Sequence, residues 1–291
     1  MSTASLKPVD VVILTTGALN LHATFWPHAQ PRGIVVIAHG LGEHGGAYAE
    51  TAAAIQDVNG LEVIAPDLRG HGKSPGLRGF VADYEELIAD LTATLDWAEK
   101  RHPGLPRFLL GHSNGGQVAL RLALDPAVAP KIAGLVVSNP ALQVAANVPA
   151  YKLALGRLLL RFAPRITLGV PMATSELTRD PSLWEARRND RLRHSRISAP
   201  LYFGMIDGGL RLKNLVHGLK MPVLFLIGGA DPVIDPQYSL GVFEAVGSED
   251  KTLKFYPEIV HEPLNDLGRE TVVGDLHDWF EAHLPPITAT D

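Results

Sequence analysis

The 291-residue sequence predicts an α/β fold: a mostly parallel sheet of eight strands, helices on both faces, and a helical insertion late in the chain. Short β-branched runs alternate with helical patterns from Gly33 onward, which is the rhythm of strand-helix-strand units. Several of the strand runs, GIVVIAHG and PVLFLIGG among them, are apolar without interruption, as strands covered on both faces must be. At 46% hydrophobic and 20% charged, the chain can bury a core of ordinary size within one elaborated domain.

In chain order, strands are expected at Val9 to Thr15, Leu21 to Trp26, Gly33 to Ala38, Leu61 to Ala65, Phe108 to Gly111, Ile132 to Ser138, Val223 to Gly228 and Thr252 to Tyr256. Helices are expected at Tyr48 to Val58, Tyr84 to Lys100, Gly115 to Leu124, Pro236 to Val246 and Thr271 to His283. The stretch from Pro140 to about His217 breaks the rhythm. Rich in Leu, Arg and Pro, it reads as helical pieces inserted between two core strands, so residues 140–216 form a cap and residues 1–139 with 217–291 form the core. The LLLRF run within it is read as core packing in preference to a membrane contact.

Composition excludes several classes of chemistry. The absence of cysteine removes disulfides, thiolate metal sites and cysteine nucleophiles together, and suits a reducing cytoplasm. A net charge of −5 with interspersed signs provides no basic stripe for a phosphate backbone, so nucleic acid is not an expected partner. Lys152, Arg157 and Arg161 interrupt the greasiest stretch before it reaches membrane-spanning length, and the opening MSTASLKPVDVV lacks the layout of a secretion signal. No metal or cofactor motif is present.

The pattern G-x-S-x-G occurs twice, at Gly111 to Gly115 and at Gly72 to Gly76, so context must choose between them. Ser113 follows the apolar run RFLL and precedes the helical GGQVALRLAL, the strand-turn-helix setting of a nucleophile elbow. Ser74 has neither flank, and Pro75 after it has no N–H to offer a developing oxyanion, whereas Asn114 has one. Asp67 and Arg69 beside the second copy are read as structural. The glycine-rich HGLGEHGG at His39 to Gly46 follows the third strand, and its Leu41 N–H is the expected second oxyanion donor. Asp231 stands at the mouth of the PVLFLIGG strand and is the expected acid, with Asp235 a helix cap before Pro236. His261 is the one histidine just beyond the last strand, while His112 is expected to point away from the nucleophile and His39 to support its loop. Ser, Asp and His then follow in the chain order of an α/β-hydrolase, which points to acyl transfer through a covalent intermediate.

With these segments in place, HGLGEHGGAY, IAPDLRGHGKS, FLLGHSNGG, GGADPVIDP and KTLKFYPEIVHEPLN together resemble monoacylglycerol lipases and their lysophospholipase-like relatives, in the serine aminopeptidase-like branch of the α/β-hydrolases. The resemblance implies Ser113, Asp231 and His261 as a catalytic triad, Leu41 and Asn114 as oxyanion donors, and a cap that shapes an acyl tunnel and makes peripheral contact with membranes. It implies a small-molecule ester or lipid substrate, bound with the help of Gly40, Glu43, His44 and Leu264. Animal members carry an arginine where this chain has Ala47 and a histidine where it has Leu264, polar groups associated with the glycerol end of the pocket; Asn114 replaces the apolar residue usual in the family after the nucleophile, which is expected to make the pocket floor slightly more polar. Two further readings stay open from sequence: a short-chain carboxylesterase, and a hydrolase-fold protein that binds without turnover.

Overall fold

The described residues form ten strands: β1 (Val9–Leu14), β2 (Asn20–Trp26), β3 (Gly33–Ala38), β4 (Leu61–Pro66), β5 (Arg107–His112), β6 (Gly134–Ser138), β7 (Thr167–Gly169), β8 (Arg196–Ser198), β9 (Val223–Gly228) and β10 (Lys251–Tyr256). Between and after them lie α1 (Ala49–Asn59), α2 (Glu85–Arg101), α3 (Asn114–Ala123), α4 (Ala150–Phe162), α5 (Thr174–Leu177), α6 (Ser182–Asn189), α7 (Ala199–Leu212), α8 (Pro236–Glu244) and α9 (Arg269–His283). This computed structural model describes residues 6–286 except 16, 18, 146, 147, 171 and 172.

Eight strands make one sheet in the order β1-β2-β4-β3-β5-β6-β9-β10. The β1-β2 and β2-β4 pairings are antiparallel, and every pairing from β4 to β10 is parallel. All six residues of β3, of β4 and of β9 are buried, which is why β3 and β9 read as unbroken apolar runs, whereas β4 carries the buried Glu62. On one face α1 and α9 close over the sheet, with Phe280 and Trp279 set edge-on to Phe108. On the other, α2 lays Leu87, Leu91, Leu95 and Ala98 against the core along a helical stripe, beside α3 and α8. Because the strands are parallel, the loops after β3, β5, β6, β9 and β10 all emerge at one edge of the sheet, where ligands of open α/β folds bind.

The segment between β6 and β9 departs from expectation in three ways. It contains a two-stranded antiparallel pair, β7 with β8, too short to stand out by periodicity. Its last helix, α7, buries Leu201, Met205 and Leu212 in the main core cluster and packs on α3, so the core layers extend upstream of residue 217. And α4 has no buried residue. Tyr151, Leu155, Leu158 and Phe162, one stripe of that helix, are 70%, 47%, 55% and 70% exposed, which overturns the reading of LLLRF as core packing.

Candidate active site

Strand β5 passes into α3 with a single residue between them. That residue is Ser113, at φ +51° and ψ −119°, a conformation sparsely populated for any side chain but glycine. The bend brings backbones so close that a Cβ on Gly111 would sit 2.5 Å from the Gly115 carbonyl oxygen, and one on Gly115 2.1 Å from that of Ala38. The Ser113 N–H donates to the Ser138 carbonyl (3.0 Å) and its carbonyl accepts from Ala141 N (2.8 Å), so the strain is held from both sides.

His261 reaches the serine from the loop after β10. Its Nε2 lies 3.0 Å from Ser113 Oγ, and its Nδ1 lies 2.8 Å from Asp231 Oδ2. Asp231 stands in the loop after β9, where its Oδ1 accepts from the N–H groups of Val233 (2.7 Å) and Ile234 (3.1 Å), leaving Oδ2 to the imidazole. A carboxylate can only accept, so Nδ1 carries the proton and Nε2 is the acceptor facing the hydroxyl. Burial pulls His261 downward, but the charge and hydrogen bond of Asp231 outweigh it and raise the imidazole above its ordinary value.

Asn139 is a residue the sequence reading missed. At φ +38° and almost fully buried, it accepts from Gly228 N (2.8 Å) and donates to the carbonyls of Val260 (3.0 Å) and His261 (2.9 Å). One side chain thus ties the end of β6 to the end of β9 and to the histidine loop. An asparagine just past a strand, in SNP, reads as an ordinary turn residue.

The remaining positions divide clearly. Gly40 and Leu41 run beside the serine, so close that a Cβ on Gly40 would touch Ser113 Cβ at 3.4 Å. Asn114 opens α3, where a backbone N–H has no acceptor within the helix. Its side chain does not make the pocket floor polar, because the amide oxygen is taken by the Tyr84 hydroxyl (2.8 Å) and the residue is 1% exposed. Glu43 is buried at the cavity wall: Oε2 accepts from Gly40 N (2.9 Å) and the Tyr48 hydroxyl (2.8 Å), and Oε1 faces Arg193 at 3.0 Å. Burial pushes its carboxyl up, yet Arg193 foremost among its neighbours holds it far below the usual carboxylate range. His44 and Leu264 do not line the cavity. His44 turns to Asp190 (2.7 Å), and Leu264 packs with the core under α9. His112 does not point away either: its ring tilts against that of His261 at 5.0 Å, with Nδ1 on the Ser138 carbonyl. His39 and Ser74 hold loops, through Leu68 N and His22 N.

Ser113 and His261 open onto a cavity of about 280 Å³. Its lining is largely apolar, with Val144, Val170, Ile197, Tyr202, Met205 and Val233 among its residues, and Glu43, Glu176, Arg193 and Glu262 provide charge. No cluster among the described residues could hold a metal ion.

The serine aminopeptidase S33 family profile matches residues 29–268, a span that holds Ser113, Asp231 and His261. The chain belongs to that family. Its fold is the α/β-hydrolase fold. Within the family it is 32% identical over 273 residues to the monoacylglycerol lipase of Mycolicibacterium smegmatis, covering 92% of this chain and 95% of that one. It is also 32% identical to human monoglyceride lipase over 89% of this chain and 86% of that one. The crystal structure of a Paleococcus ferrophilus monoacylglycerol lipase superposes with a TM-score of 0.80 at 33% identity, covering 90% and 99% of the two chains.

Asn139→Ala in this S33 protein leaves one N–H and two carbonyls unpaired beside Gly228 and His261, and is expected to destabilise the fold by about 3 kcal/mol. Denaturant unfolding measures the loss, and an unchanged midpoint would contradict it.

Proposed function

We propose that this protein is a serine hydrolase that cleaves lipid-like carboxylic esters through an acyl-enzyme on Ser113, with monoacylglycerols the favoured class. The observation that carries the reading is the hydrogen-bonded chain from Asp231 through His261 to Ser113 at a largely apolar cavity, in a chain whose full-length relatives are monoacylglycerol lipases.

In this reading His261 Nε2 removes the Ser113 proton as Oγ attacks the ester carbonyl, and Asp231 stabilises the imidazolium that forms. The N–H groups of Leu41 and Asn114 receive the negative oxygen, helped by the positive end of α3. His261 returns its proton to the leaving alcohol, and a water activated in the same way then releases the acid. Apolar walls favour an acyl chain. With Glu43 paired to Arg193 and Glu262 to Arg187, Glu176 is the carboxylate left unmatched among the described wall residues, which favours a neutral alcohol head over an anionic phosphate. An aminopeptidase reading has less support, since Glu43 is matched by Arg193 and Glu262 by Arg187, which leaves only Glu176 for a peptide amino group.

The segment from residue 140 to Ser198 acts as the cap in this reading. The exposed stripe of α4, bordered by the exposed Lys152, Arg157 and Arg161, rests on a lipid surface from which substrate is collected. The doubly substituted Leu158→Asp/Phe162→Asp protein is expected to lose co-sedimentation with phosphatidylcholine-phosphatidylserine vesicles and keep its rate on a water-soluble ester. Retained sedimentation would remove α4 from the interface.

A fluorophosphonate probe is expected to label the wild-type protein and not Ser113→Ala, and hydrolysis of p-nitrophenyl esters to rise from acetyl to octanoyl. Failure to label would refute turnover at this serine, and a peak at acetyl would replace the lipase with a short-chain esterase.

The pH dependence follows from His261. The base must be neutral, its pKa is raised, and neutral imidazole appears as pH climbs through that pKa, so the acid limb of kcat/KM is expected above the ordinary 6.5. Asp231→Asn removes the charge that raises it. The limb should then move to lower pH while kcat falls by about 10⁴-fold, and a limb that stayed in place would exclude His261 as the titrating base.

A further inference from the structure

We infer that Arg193 is a positioning residue for the reaction: by seating the 190–194 turn on the loop after β3, it sets the backbone at Gly40 and Leu41 beside Ser113. The inference rests on Ser113 acting as the nucleophile.

The turn touches that loop at three consecutive residues. His194 N donates to the Gly42 carbonyl (3.0 Å), Asp190 meets His44 Nε2 (2.7 Å), and Arg193 Nη2 meets Glu43 Oε1 (3.0 Å). Contact is close enough that a Cβ on Gly42, at φ +76°, would lie 1.9 Å from the His194 carbonyl oxygen. Glu43 then passes the constraint on. Its other oxygen binds Gly40 N, and its own N–H donates back to the Gly40 carbonyl (3.2 Å). A second connection runs through tilted, adjoining rings, His194 against His71 at 4.6 Å and His71 against His39 at 5.1 Å, and His39 Nδ1 meets that same Gly40 carbonyl (2.8 Å). Both routes start on the turn and end on the peptide next to Leu41.

The ion pair is poorly hydrated, with side chains 16% and 8% exposed, so its two members depend on each other. Without the guanidinium, the Glu43 carboxylate is a buried charge holding only the Gly40 N–H and the Tyr48 hydroxyl. It relaxes toward water or takes up a proton, and in either case the grip on Gly40 loosens. An oxyanion donor acts through its pre-set aim, so a small displacement is paid in kcat and not in ground-state binding.

Arg193 also lines the cavity, and the test must therefore separate positioning from contact with the substrate head. Arg193→Ala is assayed on p-nitrophenyl butyrate, which has no polyol head, and on a monoacylglycerol. Positioning predicts that kcat falls by about tenfold or more on both, with KM within about threefold, and that Arg193→Lys recovers part of the loss on both. A loss confined to the KM of the monoacylglycerol would make Arg193 a head-group contact and overturn the inference, as would wild-type rates on both esters. If circular dichroism finds the alanine variant unfolded, Arg193→Gln decides by the same criteria. Labelling of the wild-type protein by the fluorophosphonate probe keeps the two readings apart: no label refutes the nucleophile, whereas normal label with unaffected Arg193 variants refutes only the positioning role.

Discussion

The bend at Ser113 is the constraint on which the rest of the site depends. A strand can hand over to a helix in one residue only if that residue accepts a strained backbone and the residues two positions away carry no side chain. The strain is tolerable because β5 lies between β3 and β6 in a parallel sheet and α3 is packed on it. The result is a hydroxyl standing clear of the sheet edge, at the start of a helix, within reach of whatever the neighbouring loops present.

What they present is organised by short-range pairing of buried polar groups. Asp231 spends one oxygen on its own loop and one on His261, while the Asn139 side chain binds the end of β9 and the loop that carries His261. Glu43 does the same for the loop after β3, with the difference that its charge is matched from the insertion by Arg193. Around a serine held in this way, burial makes every unpaired group costly, so the site is held together by groups that are individually satisfied.

The sheet was legible because burial on both faces imposes a signal on the sequence itself. All eight sheet strands fall within one or two residues of the segments expected for them, and the helices of the core follow from apolar spacing. Ser113 was legible for a similar reason, since the crowding that demands Gly111 and Gly115 leaves a local pattern, and the decoy at Ser74 fails on its flanks. The inserted segment was far less legible. An apolar helix such as α4 reads the same whether its stripe meets a core or solvent, and three-residue strands such as β7 and β8 have no period to detect.

By itself, then, the sequence determined the strand order along the chain, the sharp turn at the serine, and the succession of serine, aspartate and histidine, all of which are imposed by neighbours in the chain. The tertiary structure decided which distant groups share a bond: His261 Nε2 on Ser113 Oγ across 148 residues, Asn139 on the histidine loop, Arg193 on Glu43, and Asn114 on Tyr84. Those pairings depend on where parallel strands end in space and on which direction a side chain leaves its backbone, and neither quantity is written in residue spacing. His44 and Leu264 mark that limit: both lie within three residues of site positions, yet one turns to Asp190 and the other into the core.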